Sequence, residues 1–190
     1  MRLEVVRAPM DDFFPGVFTV SVSAKLRPPR GEAGLLDWRL GGAVSSLVLQ
    51  GLLKGEAGER VLFWSRRRGS KIYIFGTGAS SRPSGRAVAD CAENMVKVLL
   101  SMEEGEAVLL AEHLLGTEED VERALAFLSG LMAGGRENPE LFGGFRLCIV
   151  GESGAQNYYE SLRKAVLRKG TEADSVELTF SETAQTLQPK

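Results

Sequence analysis

The sequence predicts an α/β fold: a three-layer α/β/α arrangement around one mixed, largely parallel sheet. Two observations carry this. Segments with apolar residues at helical spacing alternate along the chain with short apolar runs. The runs Val61-Leu62-Phe63-Trp64, Ile72-Tyr73-Ile74-Phe75, Ala107-Val108-Leu109-Leu110 and Leu147-Cys148-Ile149-Val150 contain no polar alternation, which suits strands covered by helices on both faces. The order reads β-β-α-β-β-α-β-α-β-α-β.

Each element follows in turn. Val20-Ser21-Val22-Ser23 alternates apolar and polar residues, so an edge position or antiparallel pairing is expected. Leu36, Leu40, Ala43, Val44, Leu47 and Val48 form one apolar stripe, predicting a single helix over residues 33–53. Between the next two strands, Arg66-Arg67-Arg68-Gly69-Ser70-Lys71 reads as an exposed hairpin loop; its four cations either solvate the sheet or attract an anionic partner. A second helix starts near Ser84 and buries Val88, Cys91, Ala92, Met95 and Leu99. A third follows Thr117, a candidate N-cap with Glu118, Glu119 and Asp120 in its first turn. Its inner face is Val121, Ala124, Leu125, Leu128, Leu131 and Met132. The fourth places Ala155, Tyr158, Tyr159, Leu162, Ala165 and Val166 on one side. Val176-Glu177-Leu178-Thr179-Phe180 alternates and belongs at an edge. Trp64 is expected in the core.

The segment Gly134-Gly135-Arg136-Glu137-Asn138-Pro139-Glu140 is the best candidate break, but it is too short to divide the chain. One domain over residues 1–180 with a polar, frayed tail over 181–190 is therefore expected. A formal charge of -2 gives no electrostatic reason to expect nucleic acid or an anionic membrane as partner. No apolar stretch approaches the ~20 residues that span a bilayer, and the first residues lack a signal peptide. The cytoplasm is expected. Cys91 and Cys148, inside apolar runs, read as buried free thiols.

The stretch Ala33-Gly34-Leu35-Leu36-Asp37-Trp38-Arg39-Leu40, after a Pro-rich link, resembles the first long helix of the amino-terminal domain in the leucyl (cytosol) aminopeptidase family. Further similar features follow in order: Gly51 and Gly55 at the helix end, Gly58-Glu59 leading into a strand, and a strand closing on Gly76-Thr77-Gly78. The helix Arg123-Ala124-Leu125-Ala126-Phe127-Leu128-Ser129-Gly130-Leu131 and the strand Phe145-Arg146-Leu147-Cys148-Ile149-Val150 complete a match over residues 15–150. The resemblance implies a macro-domain-like fold. In that family the two-metal peptidase site lies wholly in a second domain, and no segment like its Asn-Thr-Asp-Ala-Glu-Gly motif occurs here. The resemblance therefore assigns no catalytic residue, no metal ligand and no cofactor. It implies a stand-alone, non-catalytic assembly or regulatory module, either a homo-oligomer or an associate of a full-length aminopeptidase.

His113 is the single histidine, so a His- and Cys-rich metal site is not expected, and nucleophilic catalysis would need His113 as its lone base. Ligand-binding candidates are the loops following two apolar strands: Gly76, Thr77, Gly78, Ala79 and Ser80, and Gly151, Ser153 and Gly154. Ligands in open sheets of this class lie beyond the carboxyl ends of strands. By the same resemblance, these loops would cradle the phosphates of an ADP-ribose-like molecule, although no Asn-Ala-Ala-Asn-like stretch is present. Short strand-to-helix turns also use Gly and Ser for tight geometry alone. Trp38, Phe13 and Phe14 are interface candidates, with half-buried core as the alternative for Trp38. Of the adjacent Tyr158 and Tyr159, at most one points fully inward.

Overall fold

The computed structural model describes residues 1–25 and 28–182. Seven strands, β1 (Arg2–Val6), β2 (Val17–Val22), β3 (Arg60–Ser65), β4 (Ser70–Gly76), β5 (Glu106–Leu110), β6 (Arg146–Val150) and β7 (Glu177–Ser181), form one sheet in the order β3-β4-β2-β5-β6-β1-β7. Every neighbouring pair is parallel except the β3–β4 hairpin. Among the described residues seven α-helices accompany it: α1 (Gly31–Arg39), α2 (Ala43–Leu49), α3 (Gly85–Ser101), α4 (Glu112–Leu115), α5 (Val121–Gly135), α6 (Pro139–Gly144) and α7 (Ala155–Lys169).

The uninterrupted apolar runs have the predicted cause. Tyr73 and Phe75, Leu109, Leu147 and Ile149 pack with α3, α5 and α7 on one face of the sheet. Their neighbours Ile72, Ile74, Val108, Leu110, Cys148 and Val150 pack with Leu36 of α1 and Val44 of α2 on the other. Strand side chains alternate in direction, so both faces demand apolar residues only where both are covered. Each fully buried Leu, Ile or Phe contributes roughly 1.5–3 kcal/mol.

Four expectations are corrected. The single helix over 33–53 is two, because Gly41 and Gly42 take left-handed backbone angles (φ 69° and 81°) and end α1. Asp37, buried near the end of α1, then caps α2: its Oδ1 accepts from Val44 N–H at 2.7 Å and Ser45 N–H at 3.0 Å, and its Oδ2 from the Ser45 hydroxyl. Val20-Ser21-Val22-Ser23 lies in and just after β2, an interior strand with parallel neighbours on both sides, not an edge. The final strand does lie at an edge, as β7. The cap of α5 is Asp120, which accepts from Arg123 N–H at 3.1 Å, rather than Thr117. Trp64 is 59% exposed and Trp38 71% exposed, so neither is core.

The Gly-rich segment at 134–140 is not a break: it joins the end of α5 to α6. Gly130 and Gly134 instead bring α5 against α3, where a Cβ would strike the backbone oxygens of Ala89 and Glu93. Ser84 starts α3 as expected, its hydroxyl accepting from Ala87 N–H at 3.3 Å. The tail from 183 onwards lies outside the described residues. Cys91 and Cys148 are free and buried. Among the described residues, no helix is long and apolar enough to cross a membrane.

Candidate functional site

The parallel strands β2, β5 and β6 end side by side, and their carboxyl ends open into a two-lobed cleft of about 410 and 230 Å³. Both lobes share Gly31, Glu32, Leu110, Glu112 and Thr117. The floor is a reciprocal clasp between helix starts that lie 80 residues apart in the chain. Glu32 N–H donates to Glu112 Oε2 at 2.8 Å, and Glu112 N–H donates to Glu32 Oε2 at 2.8 Å. Gly31 (φ 59°) permits this approach, since a Cβ there would overlap the Glu112 carboxylate. Tyr158 Oη adds a donor to Glu32 Oε1 at 3.3 Å. Burial, reinforced by the Glu112 carboxylate, outweighs these donors and raises the Glu32 carboxyl to about 8.

The first lobe carries the polar wall. Ser21, 2% exposed, lines it, and its Oγ is the one buried side-chain oxygen or nitrogen without a hydrogen-bond partner among the described residues. Thr77 Oγ1 lies 3.1 Å from Val22 O and 2.8 Å from His113 Nε2, tying the imidazole to the end of β2. Burial first, then the charge of Arg123, lowers His113 to about 4 and keeps it neutral. Arg123 is buried: Nε donates to Leu114 O and Nη2 to His113 O, both at 2.9 Å. Among the described residues it forms no salt bridge with a carboxylate. Burial first, then the nearby charge of Arg82, lowers its pKa, and Asp120 offsets part of this. Arg82, exposed on the same wall, pairs loosely with Asp120 at 3.4 Å.

The structure divides the sequence-predicted loops. Gly151 and Ser153 line the second lobe, whereas Gly154 turns against the Tyr158 ring. Gly76 and Thr77 line a separate hollow of about 170 Å³ beside α3, and Thr77 meets the cleft only through His113. Gly78 is tied into the backbone of Gly55 and Ala24, and Ser80 closes a turn on Arg82. Neither they nor Ala79 line the cleft. Of the interface candidates, Trp38 is exposed beneath the Arg39 guanidinium, Phe13 is buried in the core, and Phe14 stacks on Phe18 at 4.5 Å. Tyr158 points inward, and Tyr159 packs against Phe180 at 5.1 Å. Sequence reasoning missed Ser21, Glu32, Glu112, Arg82 and Arg123. A polar Ser21 inside a largely apolar strand was the usable signal for the first of these. Among the described residues, no group of three or more His, Cys, Asp or Glu side chains is placed to hold a metal ion.

No protein-family profile and no curated protein matches this sequence. Solved structures do. The chain is similar to a point mutant of an Oceanobacillus iheyensis macrodomain (TM-score 0.63, 15% identity, 86% of this chain and 92% of that chain). It is also similar to a Trypanosoma brucei macrodomain in complex with ADP-ribose (TM-score 0.61, 9% identity, 86% and 68%). A mutant of tomato leucine aminopeptidase matches with TM-score 0.59 and 16% identity over 85% of this chain and 35% of its own. This chain thus spans about a third of the tomato enzyme's length. The fold is a macro-domain-like three-layer α/β/α domain.

Proposed function

We propose that the domain binds a phosphorylated, nucleotide-type small molecule in the two-lobed cleft, with the anionic part at the wall made by Arg82 and Arg123. One observation carries the reading: a buried guanidinium, Arg123, lines the cleft beside a second cation and forms no salt bridge among the described residues. Asp120 offsets the two positive charges only in part, and a ligand phosphate there supplies further counter-charge to a buried cation. The unpaired hydroxyl of Ser21 and the neutral imidazole of His113, both in the lining of the first lobe, supply polar partners for a sugar hydroxyl. The trypanosomal macrodomain solved with ADP-ribose makes that molecule the first to test. The Glu32–Glu112 clasp argues against a phosphate on the cleft floor, because both main-chain N–H groups are already satisfied by carboxylates. Titration calorimetry with ADP-ribose and ADP tests this. Binding is expected for the native chain and about tenfold weaker for Arg82→Ser, whose side chain is exposed and not needed for folding. No heat with either ligand refutes the reading.

A second reading is favoured by the exposed apolar side chains Trp38, Leu49 and Trp64 and by the likeness to the tomato enzyme. Here the domain is a non-catalytic relative of the aminopeptidase amino-terminal domain and serves in assembly, as a homo-oligomer or with a full-length aminopeptidase. Light scattering on the purified chain, alone and mixed with such an enzyme, tests it. The buried free thiols suit a reducing compartment, and we place the protein in the cytoplasm on that ground.

A further inference from the structure

We propose that the outer edge of β3 is a self-pairing interface, joining two copies of this chain β3 to β3, antiparallel about a two-fold axis at Leu62. The proposal rests on the assembly reading and names its partner as a second copy. β3 is the terminal strand of the sheet. Hydrogen-bonded positions alternate along an antiparallel ladder, and Gly76 N–H donates to Glu59 O at 2.8 Å. With Val61 opposite Ile74 and Phe63 opposite Ile72, the backbone groups of Arg60, Leu62 and Trp64 therefore face away from β4. Their side chains share one face of the strand, and Leu62 and Trp64 are 47% and 59% exposed. The other face is settled: Val61 and Phe63 pack on the core beneath α1 and α2.

Sheet edges are usually protected by charged side chains (Lys above all), Pro, a bulge or shortness. β3 has six residues, four of them Val61-Leu62-Phe63-Trp64, with no Lys or Pro and a single charge, Arg60, at its start. The chain's own chemistry selects a second copy as occupant. Antiparallel pairing centred on Leu62 sets three outward-facing positions against their equals, each pair exchanging two hydrogen bonds. Leu62 meets Leu62, and each Arg60 lies across from a Trp64, where guanidinium and indole attract one another. The flanks complement as well. Glu56 and Glu59 precede the strand, and Arg66 and Arg67 follow it, so an antiparallel partner sets acid beside base at both ends. This is a use for the Arg-rich hairpin that sequence reading left open.

Size-exclusion chromatography with light scattering, over a range of concentrations, tests the proposal on the full chain. The native protein is expected at twice the chain mass. Leu62→Lys, which opposes two like charges on the axis at an exposed position, is expected at the mass of one chain with an unchanged circular-dichroism melt. Arg66→Glu with Arg67→Glu, in a loop where folding is not at stake, is expected to weaken the dimer at least about tenfold. A native chain that stays monomeric overturns both this proposal and self-assembly. A dimer that survives Leu62→Lys but is dissolved by Trp38→Ser or Leu49→Ser preserves self-assembly and overturns the β3 edge. A monomer that retains an unrelated protein through this edge overturns it too.

Discussion

Glu32 and Glu112 each cap the other's main chain across the cleft floor at 2.8 Å, so two carboxyl groups that would repel if both ionised are held together by two amides that attract. Because burial and the second carboxylate raise Glu32 to about 8, its contribution has a definite sign. It is fully present below the unfolded value near 4.5 and is lost as pH rises through about 8. Glu32→Gln keeps an acceptor for the Glu112 N–H and removes the charge. The variant is expected to melt higher than the native chain at pH 9 and nearly level with it at pH 5; equal melting differences at both pH values would falsify the clasp.

His113 acts with the opposite sign. Its value, lowered to about 4, means stability is present above 6.5 and is lost as pH falls from there through 4. His113→Gln, which keeps a neutral polar side chain and removes the titrating group, should flatten the acid limb of a stability-against-pH curve measured by urea unfolding. An unaltered acid limb contradicts the neutral assignment.

Asp37 holds three donors at the start of α2, and its alanine variant leaves Val44 N–H buried without a partner. A loss of about 1–2 kcal/mol is expected from chemical denaturation. Asp37→Asn retains an acceptor and is expected to lose less.

Ser21 separates stability from binding. Its buried hydroxyl has no partner, so Ser21→Ala is expected to be neutral or to stabilise by up to about 1 kcal/mol. If the cleft takes a sugar phosphate, the same variant binds ADP-ribose more weakly in calorimetry. A variant that is both less stable and unchanged in binding is incompatible with this assignment.

Gly130→Ala drives a methyl group into the Ala89 carbonyl where α3 and α5 touch, whereas Gly143 has open space around it. The first substitution should lower the thermal midpoint by several degrees, equivalent to about 1–3 kcal/mol. Gly143→Ala should leave it unchanged or raise it.

Much of the fold was legible because helix layers on both faces leave a plain mark on interior strands such as Ile72-Tyr73-Ile74-Phe75. The failures within the sheet share one cause. β2 carries Thr19 and Ser21, with Ser23 just beyond it, and polar alternation reads as a water-facing side. Instead Thr19 Oγ1 donates to Val108 O at 3.1 Å, Ser23 Oγ accepts from Lys25 N–H at 3.2 Å, and Ser21 is buried in the cleft wall. Conversely, Leu62 and Trp64 sit in an apolar run that reads as doubly covered, yet at the sheet's end they remain exposed. A sequence records the polarity of a residue, not whether its neighbour is water, protein or ligand. The cleft was less legible still, since Glu32, Glu112 and Arg123 come from three separate segments with no common local pattern.

The placement of β1 between β6 and β7 has a consequence for the nascent chain. Arg2–Val6 is synthesised well before both of its sheet neighbours: 142 positions separate Glu4 from Arg146, and 175 separate Arg2 from Glu177. Loop closure over such separations is slow relative to local pairing. Leu3 and Val5, both fully buried at the end, must therefore wait uncovered while the rest of the sheet is made.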